Sequence, residues 1–326
     1  MLQQRRHLLL AGLASASLSA IPLQAAGNRT PIRLIVPFPP GGGGDVLARS
    51  VGDEFGRRLG EKLWIDNRPG AGGTIGARLA AKQPQDGRTL LYATNGILCV
   101  NPLLYKNIPF DPLASLEPVG QISSIGLIGV LNPDAVPGVT DLQSLLSFAQ
   151  KQPGSLDFAS SGNGTTSHLA GCFLSERTGL SFSHVPYKGG SAAILDVLAG
   201  RIPFMIDVAP NVLPHIRSGK LKALGVTAQR RLRVAPEIPT FAEAGISGFE
   251  LAAWDGIMAP KGTSEEVLES LSCALAETLQ APETTRRLAV KGAEAASGRR
   301  ADFSAFIAEE RPKWARLVER VRAEAD

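Results

Sequence analysis

Glycine runs set between a strand-like and a helix-like segment put backbone amides within reach of a ligand, and this chain has three. They are Pro37-Phe38-Pro39-Pro40-Gly41-Gly42-Gly43-Gly44-Asp45, Gly70-Ala71-Gly72-Gly73, and Ser160-Ser161-Gly162-Asn163-Gly164-Thr165-Thr166-Ser167-His168. Glycine allows close approach of the backbone, and the helix start behind each loop favours an anion. The first run is no Walker loop, because no Lys-Ser/Thr pair closes it, and it lacks the later glycine of the dinucleotide fingerprint. The run from Ser160 adds the hydroxyls of Ser160, Thr165 and Thr166 to its amides. Corresponding loops in two halves of one chain imply a small carboxylate clasped from both sides, with no buried arginine.

Other chemistry is weaker in the pattern. Ser161 and His168 stand seven residues apart, but Gly-x-Ser-x-Gly is absent and no acid is placed to orient the histidine. Asp45 reads as a helix cap that orients the loop amides, and pairing with Asp207 is the alternative. Lys188, in Tyr187-Lys188-Gly189-Gly190, reads as an exposed turn lysine or as a cation for an anionic ligand. Histidines and cysteines are scattered and form no metal-ligand spacing. Cys99, Cys172 and Cys273 read as buried apolar thiols, with one disulfide as the alternative.

The elements that hold these loops alternate. Ile32–Val36 reads as a buried strand, followed by a helix with Leu47, Val51, Phe55 and Leu59 on one face. Leu63–Ile65 and Thr89–Ala93 read as strands about a helix from Thr74 to Ala81. A second unit has strands at Ile125–Leu131, Leu156–Ala159, Ser183–Tyr187, Ile202–Ile206 and Leu221–Val226. Its helices run from Thr140 to Gln150, from the Gly162 loop to Thr178 with Gly179 ending it, and over Ser191–Ala199. Thr240-Phe-Ala-Glu243 and Thr263-Ser-Glu-Glu266 have the capping-box pattern, and Glu265–Ala325 reads as mostly helical. This order predicts an α/β protein of two lobes. Extended segments at Val119–Leu131 and Phe249–Ala259 are expected to cross between them and allow a hinge.

Composition narrows the class. With 44% hydrophobic residues and 20% charged, the 326-residue chain is neither disordered nor a coiled coil. A net charge of +4, scattered along the chain, excludes a nucleic-acid footprint. Residues 1–26 carry Arg5-Arg6, a short apolar stretch and small residues at Ala25-Ala26, the layout of a secretory signal peptide. Arg5-Arg6-His7-Leu8-Leu9 also resembles a twin-arginine signal. Losing that segment removes two arginines and takes +4 to +2. The mature chain is expected to be periplasmic.

Six ordered motifs carry a family resemblance. They are Pro37-Phe38 with the following glycines and Asp45, Asp66-Asn67-Arg68-Pro69-Gly70-Ala71-Gly72-Gly73, Asp86-Gly87-Arg88-Thr89-Leu90, Ser161–Thr165 with His168-Leu169, His184-Val-Pro-Tyr-Lys-Gly189, and Ile238-Pro-Thr-Phe-Ala-Glu-Ala-Gly245. Together they resemble the Bug family, the substrate-binding receptors of tripartite tricarboxylate transporters. The resemblance implies a type II periplasmic-binding-protein fold, each lobe a mixed sheet flanked by helices, joined by two crossover strands. It implies one lobe from residues 27–125 and 249–326, and another from 126–248.

By the same resemblance the loop carrying Phe38, Gly42, Gly43 and Asp45 contacts one carboxylate. The loop carrying Ser160, Gly162, Asn163, Gly164, Thr165, Thr166 and His168 contacts the ligand from the other side, and Thr94 and Asp207 line the cleft. Family ligands are dicarboxylates, tricarboxylates, amino acids and aromatic acids; the run of four glycines is longer than the family's usual one. The expectation is a monomeric receptor rather than an enzyme, with no cofactor or metal, serving the transporter's membrane components. A signalling partner of a sensor kinase and an exported hydrolase using Ser161 and His168 are the alternatives.

Overall fold

The computed structural model describes residues 31–105 and 110–323, so the export signal read at residues 1–26 lies outside the described residues. Strand β1 (Ile32–Val36) leads through α1 (Gly43–Arg58), β2 (Leu63–Asn67) and α2 (Thr74–Ala81) to β3 (Thr89–Thr94). β1 lies between β2 and β3, parallel to both, as right-handed strand–helix–strand crossovers require. Both faces of β1 are buried under helices, which is why Ile32, Leu34, Ile35 and Val36 form a near-continuous apolar run. A π-helical turn at Gly96–Val100 and the short helices α3 (Asn101–Leu104) and α4 (Pro112–Ser115) then lead into β4 (Leu116–Leu131).

β4 is the connection between lobes. Its first part, Leu116–Gly126, pairs antiparallel with β9 (Ala252–Pro260). Its second part, Leu127–Leu131, pairs antiparallel with β7 (Phe204–Val208), and Ile128–Leu131 also pairs with β8 (Lys222–Val226). Between β4 and β8 lie α5 (Leu142–Lys151), β5 (Asp157–Ser160), α6 (Thr166–Thr178), β6 (Ser183–Pro186), α7 (Gly190–Leu198), β7 and α8 (Ala209–Arg217). β5 is parallel to both β6 and β7. β9 in turn pairs with β3, and ahead of it the Leu251 amide donates to Thr227 of the other lobe at 2.9 Å. Helices α9 (Glu265–Gln280), α10 (Pro282–Ala289) and α11 (Arg300–Ala323) finish the chain, with β10 (Ala293–Ala295) paired to β4.

The fold is thus two α/β lobes with mixed sheets, crossed by two chain segments. Boundaries differ from expectation where a side chain intervenes. The strand expected at Ile202 starts at Phe204, because Pro203 has no amide to donate to a ladder. Helix α5 is capped by Asp141 rather than Thr140, with a reciprocal bond from Ser144. α1 begins two residues before Asp45, so Asp45 sits in its first turn instead of capping it; the N-cap is Gly42. Thr240 and Glu243 do exchange both capping-box bonds, yet Gly245, at a φ of +103°, turns the chain before a helix forms. At α9 the cap is Ser264; the Thr263 hydroxyl donates to Pro260 instead.

Gly171 shows how closely α6 lies on its sheet: a methyl group there would overlap the buried Phe158 ring. Gly171→Ala is therefore expected to lower stability by about 1–3 kcal/mol despite alanine's better helix propensity. Urea unfolding checks this, and an unchanged or raised midpoint would contradict it.

Candidate functional site

A cavity of about 70 Å³ lies where the strands of the two lobes end. Four helices start at it: Gly43 and Gly44 of α1, Thr166 and Ser167 of α6, Gly190 of α7, and Val208, the N-cap of α8, all line its wall. The first amides of a helix have no acceptor within it, so four sets of N–H groups converge on one small space. Thr94 and Asn95 contribute from the end of β3, and Ile125, Ala253 and Trp254 from the crossover strands.

Of the residues expected at the site, Phe38, Gly42, Gly43, Thr94, Thr165, Thr166 and Asp207 line this cavity. Gly162 and Asn163 line a neighbouring cavity of about 190 Å³, with exposed Lys188; the two cavities share Phe38 and Ser161. Asp45, Ser160, Gly164 and His168 line neither and brace the loops instead. The Asp45 carboxylate accepts from the Gly41 amide, Asn67 and Arg49, each at 2.9 Å. Burial alone would raise it, but those hydrogen bonds outweigh burial and leave it below the ordinary value. The Ser160 hydroxyl meets His184 Nε2 at 2.6 Å and accepts from the Gly162 amide at 3.1 Å.

His168 accepts from the Gly164 amide at 3.3 Å, and its ring stacks on His184 at 4.1 Å. Burial, with His184 beside it, pushes His168 down to about 3; burial holds His184 at about 4. Asp207 accepts from Ser161 at 2.9 Å, Asn211 at 2.7 Å and the Val208 amide at 2.9 Å. It is still pushed up to about 6, because burial outweighs those bonds. Ser161 is therefore bonded to Asp207 while His168 is held by Gly164 and His184, and the serine–histidine pair of a hydrolase is not assembled. Asp45 and Asp207 likewise keep separate partners.

Sequence reasoning missed Tyr92, Asn95, Ile125, Ala253 and Trp254, whose places depend on the crossing of β3, β4 and β9. It also read Gly190 only as part of a lysine turn, although another strand–glycine–helix junction was legible there. Asn95 and Thr166 exchange hydrogen bonds across the cleft at 2.9 and 3.1 Å. Among the described residues, no group of three His, Cys, Asp or Glu side chains could hold a metal ion, and no helix is long and apolar enough to cross a membrane. Cys99 is buried, which pushes its thiol up to about 12. Against expectation, Cys172 is only half-buried and Cys273 is exposed on α9.

Two α/β lobes crossed by two strands, with a cavity where their strands end, match the fold of periplasmic binding proteins. The model of the tripartite tricarboxylate transporter family receptor matches residues 47–322. Protein BugT of Bordetella pertussis is 36% identical over 289 residues, 88% of each chain. Among solved structures, an R. palustris protein with adipate is similar at 33% identity and a TM-score of 0.86, covering 89% of this chain and 97% of that one. MatC from Rhodopseudomonas palustris with bound malate is similar at 28% identity and a TM-score of 0.83, covering 90% and 100%. The chain belongs to the tripartite tricarboxylate transporter receptor family, as the Bug-like motifs imply.

The buried groups set a pH dependence. Below pH 6.5 unfolded histidines take up protons that His168 and His184 refuse when folded, so they remove stability as pH falls. Asp207 and Asp255, both raised to about 6 from 3.8, take up protons first in the folded state and add stability as pH falls from 6 toward 4. The two pairs oppose each other between about pH 4 and 6. His184→Gln removes one histidine contribution, so its melting temperature relative to the parent should rise as pH drops from 7 to 5. A difference that stays flat or falls would refute this balance.

Proposed function

We propose that this chain is a periplasmic solute receptor that closes on one small organic carboxylate and delivers it to the membrane components of a tripartite tricarboxylate transporter. The observation that carries the reading is the convergence of four helix N-termini on a cavity with no Arg, Lys or His among its described lining residues. Each N-terminus supplies the equivalent of roughly +0.5 charge without a cation. An anion held by such dipoles needs no buried cation in the empty cleft, and release requires only that the lobes part. The export signal read at residues 1–26 supports a periplasmic location, as does membership of a receptor family.

Residues 27–125 with 249–326 form one lobe in this reading, and 126–248 the other. The division is supported by β4, which changes partner from β9 to β7 between Gly126 and Leu127. Some of the contacts that join the lobes at the cleft are polar, beside the close packing of Gly43 on Val208. Besides Asn95 and Thr166, the Tyr105 hydroxyl donates to the Asn163 carbonyl at 3.0 Å. Such contacts can be remade on each closure, with a bound ligand tipping the equilibrium.

Titration calorimetry of the folded mature protein against mono-, di- and tricarboxylates, amino acids and aromatic acids tests the reading. Binding of at least one member is expected, and silence across the whole panel overturns it. A methyl group at Gly43 would run into Val208 across the cleft. Gly43→Ala should therefore weaken binding by about 1–3 kcal/mol, roughly five- to 150-fold, while the melting temperature stays near the parent's.

A further inference from the structure

Tyr92, an aromatic side chain of the cavity wall, has its polar end engaged by another buried residue. Tyr92 on β3 donates its hydroxyl to Asp255, the fully buried residue behind it on β9. Asp255 also accepts the Ser123 hydroxyl of β4 at 2.7 Å. Trp254 donates its indole N–H to Glu310 on α11 at 3.0 Å, sharing that oxygen with the Trp314 indole, also at 3.0 Å. What Tyr92 offers a ligand is ring surface, and Phe38, Leu47, Ile125 and Val208 extend the apolar wall, while the Trp254 ring packs edge-on against Phe303 and Phe306 of α11.

The charges point the same way. Asp207 is the one carboxylate in the described lining, and Asp255 holds the hydroxyl of the lining residue Tyr92. Lys313 answers Glu310 at 2.8 Å; among the described residues neither Asp207 nor Asp255 has a cationic partner. Four helix N-termini amount to roughly two positive charges, and one ionised Asp207 cancels about half of that. The balance accommodates about one negative charge. A second carboxylate would exchange water for aromatic surface, with no cation to meet it and two carboxylates nearby.

We propose that this cleft selects a monocarboxylate with an apolar body over a di- or tricarboxylate of the same skeleton. The carboxylate sits at the converging amides, and the hydrocarbon part lies against Phe38 and Tyr92. This inference rests on the receptor reading above and narrows it to a ligand class.

Matched pairs test it: butyrate against succinate, hexanoate against adipate, and benzoate against phthalate, each titrated into the folded mature protein at pH 7.5. The expected result is that any pair that binds favours the monocarboxylate by at least tenfold. A dicarboxylate that binds as tightly as its partner, or more tightly, overturns the inference and leaves the receptor reading standing. If no member binds while another organic acid does, the inference also falls. If no organic acid binds at all, both fall. Asp207→Asn, checked for native circular dichroism, keeps a hydrogen-bond acceptor but removes the wall's charge. Its preference should narrow by about tenfold, and an unchanged preference overturns the electrostatic basis.

Discussion

Unpaired backbone amides at helix N-termini are the groups on which the rest of this protein depends. They are fixed dipoles, so their attraction for an anion needs no buried cation, whose desolvation would burden the empty cleft. For four helices to start at one point, the strands before them must end there. Parallel β1, β2 and β3 and parallel β5, β6 and β7 satisfy this from opposite sides. The glycines follow from the same need. At Gly190 a side chain would strike Asp207, Asn211 and Ser161, so the start of α7 reaches the cavity only with a bare Cα.

The second constraint is that two lobes share one cleft. β4 meets it by passing through both sheets, with β9 beside it over the first part of its length. Asp255 ties β3, β9 and β4 together through Tyr92 and Ser123 at the floor of the cleft. Phe249, stacked between Phe173 and Phe241 at 4.8 and 4.6 Å, anchors the second crossing in the other lobe. Apolar stacking and buried hydrogen bonds thus hold each crossing, whereas polar contacts across the mouth are few and individually modest.

Residues near the loops divide into those that face the cavity and those that hold the loops in shape. His168 and His184 belong to the second group. Stacked on each other and on Phe158, and hydrogen-bonded to Gly164 and Ser160, they stay neutral because burial disfavours their charged forms. Neutral histidine can accept from an amide, which a protonated ring could not do. Asp45 does similar work for the β1–α1 loop as an ionised carboxylate with donors on three sides.

The sequence by itself determined the elements and the loops. Apolar runs at period two or continuous burial mark strands, apolar spacing near 3.6 marks helices, and glycines between them mark where amides are free. Those signals are local, so α2, the end of α6 at Gly179 and the loops carrying Phe38, Gly42, Gly43, Thr165 and Thr166 were legible, whereas Thr94 and Asp207 were expected at the cleft only from the family resemblance. Tertiary structure alone decided that Tyr92 enters the wall with its hydroxyl held by Asp255. It also decided that Ser161 bonds Asp207 rather than His168, and that Asp45 stands behind the loop. Each of those outcomes depends on which strands become neighbours: β3 with β9, β5 with β7, and β1 with β2. The partners lie up to 163 residues apart in the case of Tyr92 and Asp255, a separation over which no periodicity carries a signal.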